Sequence, residues 1–433
     1  MQYSISDGIS DLTALSAGTR ARLLGLIVGL DKAQWLGPKL PIVNPPLWEI
    51  GHVGWFEERW CLRYRPDGGL SASLMPLADA LYDSARVDHN TRWDLPLPDV
   101  ALTLDYLAAV REAAEARFQQ QAGDREAAYF RTLSIFHEQM HCEALTYTRQ
   151  TLGYPAVDKG GVAIPESLHS SCAGDVEIPG GRFDLGAVED AGFVFDNEKW
   201  AHGVDLRPFR MARTPVTCAQ FAEFVDAGGY RDRSFWSEQG WSWRMQEGAL
   251  APVYWQCEGN TWCRRVNDRL EPLVEREPVV HVNWYEAEAW CHWAGRRLPS
   301  EAEWEFAAST VPDSPHIKRK YPWGQTAHSP VTANLHGGAG RCATVDALPA
   351  GDSAWGIRQM IGNVWEWTAD WLKPYPGFVR DPYAEYSEPW FGNHKVLRGG
   401  CYATSPELIR NTWRNFYTPD RRDVIAGFRT CAL

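Results

Sequence analysis

No stretch of this sequence approaches the run of about 18 apolar residues that a bilayer span requires, so a transmembrane helix is excluded. The apolar stretch Leu23–Leu30 follows acidic residues and precedes no small-residue cleavage site; it reads as a bundle helix rather than a secretion signal. Cysteine motifs are missing too. The ten cysteines are scattered without a CxxC pair or a framework spacing, which excludes a disulfide scaffold and points to a reducing, cytoplasmic compartment where most are small buried hydrophobes. There is no excess of positive charge: 43 Lys and Arg against 55 Asp and Glu give a net charge of −12. General attraction to nucleic acid or an anionic membrane is thereby removed, and neither partner is expected. Fixed-period repeats and low-complexity tracts are absent as well.

What is present is enough chain for two cores, since 433 residues exceed the size at which one core stops growing. Residues 1–155 carry helical periodicity through Leu12–Leu30, Pro46–Tyr64, Thr103–Gln119 and Asp124–Leu152, with proline-rich breaks at 38–46 and 95–98; this predicts a four-helix bundle. Residues 156–175 lie in a polar, glycine-rich, aperiodic stretch and are expected to be a linker. From 176 to 433 short strand-like runs alternate with Gly, Pro, Asn and Asp turns and two helical stretches, predicting an irregular α+β domain. Most of the 22 tryptophans fall there and are expected to fill its core.

The sharpest chemical signal is His137-Glu-Gln-Met-His141 within the last helical stretch. Residues i and i+4 share a helix face, so these two imidazoles can close on one metal ion. His52, set among Gly, Val, Trp and Phe on another helix, would be costly to bury unpartnered and is the candidate third ligand. Three neutral nitrogens leave positions open, which suits a zinc-bound water or an iron(II) centre equally. His-Glu-x-x-His is also the zinc peptidase motif, with Glu138 as general base, so a zinc hydrolase is one competing reading and a non-catalytic, lectin-like binding module another.

The segments Ile178–Gly186, Arg213–Thr217, Pro278–Trp284, Arg297–Glu305, Gly362–Thr368 and Val396–Gly400 together resemble the formylglycine-generating-enzyme, or sulfatase-modifying-factor, fold of C-type-lectin-like type. The cysteine pair that follows Arg-Gly-Gly in those enzymes is incomplete: Cys401 is present, but Tyr402–Asn411 holds no second thiol. A bundle carrying Gly-His-x-x-Trp-Phe and His-Glu-x-x-His ahead of such a domain resembles the ergothioneine-type nonheme iron sulfoxide synthases (EgtB family), in which the bundle is DinB-like. That resemblance implies Fe(II) on His52, His137 and His141, with hercynine and O2 as substrates and a chalcogen bonded to the hercynine imidazole C2.

Further positions follow from the same resemblance. Arg414 and Asn415 match the residues that hold the hercynine carboxylate, with Phe416 in place of a tryptophan, and Met140 stands where the family has an imidazole-contacting glutamine. Tyr383 or Tyr386 matches the catalytic tyrosine best, with Tyr375 as a further candidate. Rings such as Phe416, Trp413 or Tyr386 would receive the trimethylammonium group. Glu138 or Glu143 is expected to orient a ligand histidine. At the donor end, Leu81–Trp93 differs from the thiol-using synthases and is similar to the selenoneine synthases (SenA type), implying a selenosugar donor, with an ergothioneine-type synthase that takes a thiol such as γ-glutamylcysteine or cysteine as the alternative. Asp83, Ser84, Arg86 and His89, with Asn90, are the groups expected to meet it.

Overall fold

The computed structural model describes residues 11–433 except 66, 158–163, 165–171, 190, 313 and 315–316. It divides into two compact units, residues 1–157 with 189–193, and residues 158–188 with 194–433. Most of the expected linker lies outside the described residues. One feature differs from the sequence expectation: the second domain is not continuous from 176, because residues 189–193 belong to the bundle. There the Phe193 ring meets Tyr129 and Phe136 at 5.2 and 5.1 Å between centroids, and burial of an aromatic ring outweighs chain continuity.

The first unit is built on helices α1 (Leu12–Ile27), α2 (Pro46–Glu57), α3 (Ala78–Tyr82), α4 (Val100–Gln120) and α5 (Arg125–Leu152). Local chemistry sets their ends. Pro46 opens α2, where a missing N–H costs nothing. The carboxylates of Asp99 and Asp124 accept first-turn amides of α4 and α5, and Gly153 at φ 66° closes α5. The expected helix Pro46–Tyr64 is regular only to Glu57; a π-helical turn, Glu58–Arg63, completes it. Leu23, Leu26, Ile27, Ile50, Val53, Leu107, Cys142 and Leu145 form one apolar cluster in this unit. Each large side chain so buried contributes roughly 1.5–3 kcal/mol.

Within the same bundle runs a buried ion network. Glu57 of α2 accepts from Arg20 at 2.9 Å, Arg111 at 2.7 Å and Arg131 at 2.6 Å. Glu138 of α5 accepts from Arg20 at 2.7 Å and Arg111 at 2.6 Å. Burial would raise the Glu57 carboxyl, but the three guanidiniums hold it below its usual range.

Glycine matters where α2 meets α3. A Cβ on Gly51 would lie 2.2 Å from the Tyr82 ring, so Gly51→Ala must displace that ring. Overpacking of this kind costs about 1–3 kcal/mol. A lowered melting temperature is therefore expected, together with weaker metal retention, because the Tyr82 carbonyl anchors a ligand as described below. Unchanged melting and metal content would show that the contact relaxes freely.

In the second unit a four-stranded antiparallel sheet is ordered Asp175–Ile178, Phe209–Ala212, Cys431–Ala432, Arg296–Arg297. A second is ordered Asn415–Tyr417, Lys395–Arg398, Trp365–Trp371, Ala426–Gly427, its last pairing parallel. A hairpin and a three-stranded meander flank them, with helices Cys218–Asp226, Glu238–Glu247, Trp284–Trp293 and Glu301–Ser309. Trp304, Trp365 and Trp367 are fully buried, in line with a tryptophan-filled core. Most of the cysteines are buried and all ten are free thiols. No helix among the described residues is long and apolar enough to cross a membrane.

Candidate metal centre

On α2, Trp48, His52, Trp55 and Phe56 recur at intervals of four and three and so share one face. On α5, His137 and His141 do the same. The bundle brings the two faces together: one ligand nitrogen from each of His52, His137 and His141 lies within 4.8 Å of the others, the one such cluster among the described residues. His52 and His137 are buried, and His141 forms the more open edge at 17% side-chain exposure.

The ring orientations are fixed from behind. His52 Nδ1 donates to the Tyr82 carbonyl at 2.8 Å, so its Nε2 carries the lone pair. His141 Nδ1 donates to Glu49 Oε1 at 2.7 Å and presents its own Nε2, which stands 3.2 Å from His137 Nε2. The walls are apolar: His137 stacks on Phe56 with centroids 3.5 Å apart and planes 4° apart, and His52 on Trp48 at 4.9 Å and 9°. Burial, with the neighbouring imidazoles second, pushes His52 and His137 well below the ordinary imidazole range and keeps them in the neutral, ligating form. Burial would raise the Glu49 carboxyl; His141, the Asn44 amide and Arg92 outweigh it and hold it low. Three imidazole nitrogens, two of them on rings whose tautomers are set by outer hydrogen bonds and the third on a ring held by stacking, fit a divalent transition metal.

Two expectations are corrected here. Glu138 does not orient a ligand and is not a hydrolytic base beside the metal, since one residue along the helix turns it roughly 100° away from His137 into the Arg20 and Arg111 clamp. The orienting role belongs to Glu49 and the Tyr82 carbonyl. Glu49 had a signal in the sequence, three residues before His52 on the same face, while a backbone carbonyl has none. Glu49→Gln keeps the shape and removes the charge, and is expected to weaken metal binding by about 10-fold, the low end for an outer partner of a ligand. A chelator competition titration measures it; equal affinity would assign Glu49 to scaffolding alone.

The expected donor-end residues stand near this centre. Leu81 and Tyr82 are tied to it through their carbonyls, which accept from Trp48 Nε1 at 2.7 Å and His52 Nδ1 at 2.8 Å. Asp83 is buried, accepts from the Ala85 amide at 3.1 Å and pairs with Arg86 at 3.4 Å. Ser84 and Arg86 are exposed, and half-buried His89 donates from Nε2 to the Val43 carbonyl at 2.9 Å. Met140 is half-buried, between the two α5 ligands in sequence.

The remaining expected residues gather in the second unit. Tyr386 stacks on Phe195 at 4.2 Å, meets Phe416 edge-on at 5.5 Å, and its hydroxyl accepts from Trp413 Nε1 at 3.2 Å. Tyr383 lies 6.1 Å from it. Burial raises the Tyr386 phenol far above its usual value, so it stays protonated. Asn415 Oδ1 accepts from the Phe416 amide at 2.8 Å. Arg414 departs from expectation: it is buried, bonded twice to Glu301 at 2.7 and 3.0 Å and to the carbonyls of Asn197 and Lys373 at 2.7 and 3.0 Å. Four of its five N–H donors are thus committed within the protein. Tyr375 lies in the same core, under the Arg414 guanidinium at 4.2 Å.

Comparison with known proteins agrees with this division. Residues 17–145 match the DinB superfamily, and residues 162–432 the sulfatase-modifying factor enzyme 1-like domain. The chain is 39% identical to a hercynine oxygenase of Mycobacterium tuberculosis over 415 residues, covering 95% of this chain and 96% of that one. It is 38% identical to a hercynine oxygenase of Mycolicibacterium smegmatis, covering 95% and 96%. A formylglycine-generating enzyme of Streptomyces coelicolor is 32% identical over 64% of this chain and 93% of its own.

Proposed function

Because the chain belongs to the hercynine oxygenase (EgtB-like) family, we propose that it is an Fe(II)-dependent enzyme that joins the imidazole C2 of hercynine to the selenium of a selenosugar, with O2 as oxidant. His52, His137 and His141 hold the iron, which when bound supplies the O2-dependent oxidation. Glu49 and the Tyr82 carbonyl aim the imidazoles, and Trp48 and Phe56 exclude water. The rings of Tyr386, Phe416 and Trp413 receive the trimethylammonium group, and the Asn415 amide binds the hercynine carboxylate. Met140 packs against the imidazole, and Tyr386 or Tyr383 delivers a proton.

The selenosugar assignment rests on the resemblance of Leu81–Trp93 to the selenoneine synthases; the hydrogen bonds from Trp48 and His52 to the Leu81 and Tyr82 carbonyls support it only in tying the start of that segment to the helix that bears His52. Asp83, Ser84, Arg86 and His89 offer charged and hydroxyl groups suited to a sugar. The test is anaerobic loading with Fe(II), then air, hercynine and either a selenosugar, γ-glutamylcysteine or cysteine, with products read by mass spectrometry. A carbon–selenium adduct from the selenosugar alone is expected. A sulfoxide from a thiol would reassign the donor, and no hercynine-dependent product would overturn the reading.

A further inference from the structure

Arg92 closes the Leu81–Trp93 segment and reaches two of the three metal-binding imidazoles by separate routes. On the first, its guanidinium lies 3.8 Å over the Trp48 ring, and Trp48 stacks on His52. On the second, Arg92 Nη1 donates to Asn44 Oδ1 at 2.5 Å, Asn44 Nδ2 donates to Glu49 Oε2 at 2.8 Å, and Glu49 Oε1 accepts from His141 Nδ1 at 2.7 Å. The same guanidinium donates from Nη2 to the Val87 carbonyl at 3.3 Å, which folds the segment on itself. Arg92 is buried, whereas Arg86 of the same segment is exposed. Of the other buried arginines of the bundle, Arg20 and Arg131 bond Glu57, Glu138 and Glu115, and Arg149 bonds the Leu26 and Pro155 carbonyls; Arg63 bonds Asp79, which accepts from Trp55 and so reaches His52 alone.

We propose that Arg92 is a positioning residue of the metal centre, which sets the rings of His52 and His141 together and ties their geometry to the folded form of residues 87–93. This role rests on the three histidines holding a metal and is indifferent to which chalcogen donor is used. A planar guanidinium suits it because it stacks through its face while donating along its edge. An ammonium group has no planar face to lie on Trp48 while its N–H groups reach Asn44 and Val87 on separate prongs. Through this one side chain, a molecule that reshapes the 87–93 turn would alter the ligand rings without touching them.

The experiment uses the full-length chain and Co(II) alone, whose visible absorption reports ligand geometry without turnover. Arg92→Met, Arg92→Lys, Asn44→Ala and the Arg92→Met/Asn44→Ala double variant are compared with wild type, and Arg117→Met, in the bundle away from the ligands, serves as control. Arg92→Met is expected to weaken Co(II) binding roughly 10- to 100-fold, the range for outer partners of metal ligands, and to shift the absorption bands. Arg92→Lys stays weakened. Asn44→Ala cuts one route and loses less, and the double variant falls no further than Arg92→Met, because the Asn44 route already runs through Arg92. Unchanged affinity and spectrum in Arg92→Met, or a lowered melting temperature as its sole effect, would overturn the proposal. If Arg92→Met does not fold, Asn44→Ala decides: a wild-type spectrum and affinity there would also refute it. Failure of the wild type to bind Co(II) would remove the metal reading beneath it.

Discussion

His137→Gln is expected to yield a folded protein that no longer retains a divalent metal ion at the histidine cluster. The substitution removes the one imidazole that stacks flat on Phe56 and faces the Nε2 of His141. Two nitrogens from different helices remain, and the affinity lost should exceed the roughly 100-fold upper range for outer-sphere changes. Metal content after dialysis reads this directly, with circular dichroism confirming the fold. His141→Gln should behave alike and also strand the buried carboxylate of Glu49 without its imidazole partner. Wild-type metal content in both variants would mean the three histidines are a structural cluster.

The second large effect lies in the other unit. Glu301 is the shared partner of two buried arginines, Arg414 at 2.7 Å and Arg398 at 3.1 Å. Glu301→Ala leaves Arg414 without a carboxylate and Arg398 with Glu305 alone. Removing one member of a buried pair costs about 3–5 kcal/mol, because the orphaned charge is costlier than the pair was valuable. For a unit of this size that corresponds to a melting temperature lowered by roughly 10 °C. A scanning calorimetry trace of Glu301→Ala indistinguishable from wild type would show the network to be replaceable. Arg414→Lys is not a conservative change, as it cannot reproduce the two-pronged contact with Glu301.

The clustering of the three histidines was legible in the sequence because its information is local. Two histidines four apart declare a shared helix face, and a polar ring inside an apolar helix asks for a partner. The bundle and the α+β character of the second unit were legible for the same reason, through periodicity. What supports the triad was less so, because it comes from elements distant along the chain: the Tyr82 carbonyl, 30 residues from His52, leaves no mark, and Glu49 shares a face with His52 but its partner His141 is 92 residues away. Glu138 shows the limit of motif reading. The letters match a hydrolase, and only the positions of Arg20 on α1 and Arg111 on α4 reveal a carboxylate spent on holding helices. Arg414 shows the converse, a residue carried over as a contact whose guanidinium is mostly committed within the protein. The π-helical turn after Glu57 likewise leaves no mark in hydrophobic spacing.

The arginine clamp of the bundle bears on how a metal arrives. Glu57 and Glu138 belong to the two helices that carry the histidines, and each is gripped by Arg20 of α1 and Arg111 of α4. The ligand-bearing helices are therefore fastened by charges that owe nothing to the ion. In small zinc domains, binding and folding are one event; in this bundle the two helices have a fastening of their own besides any ion. Stripping the protein with a chelator is therefore expected to leave the bundle helical, which circular dichroism reads.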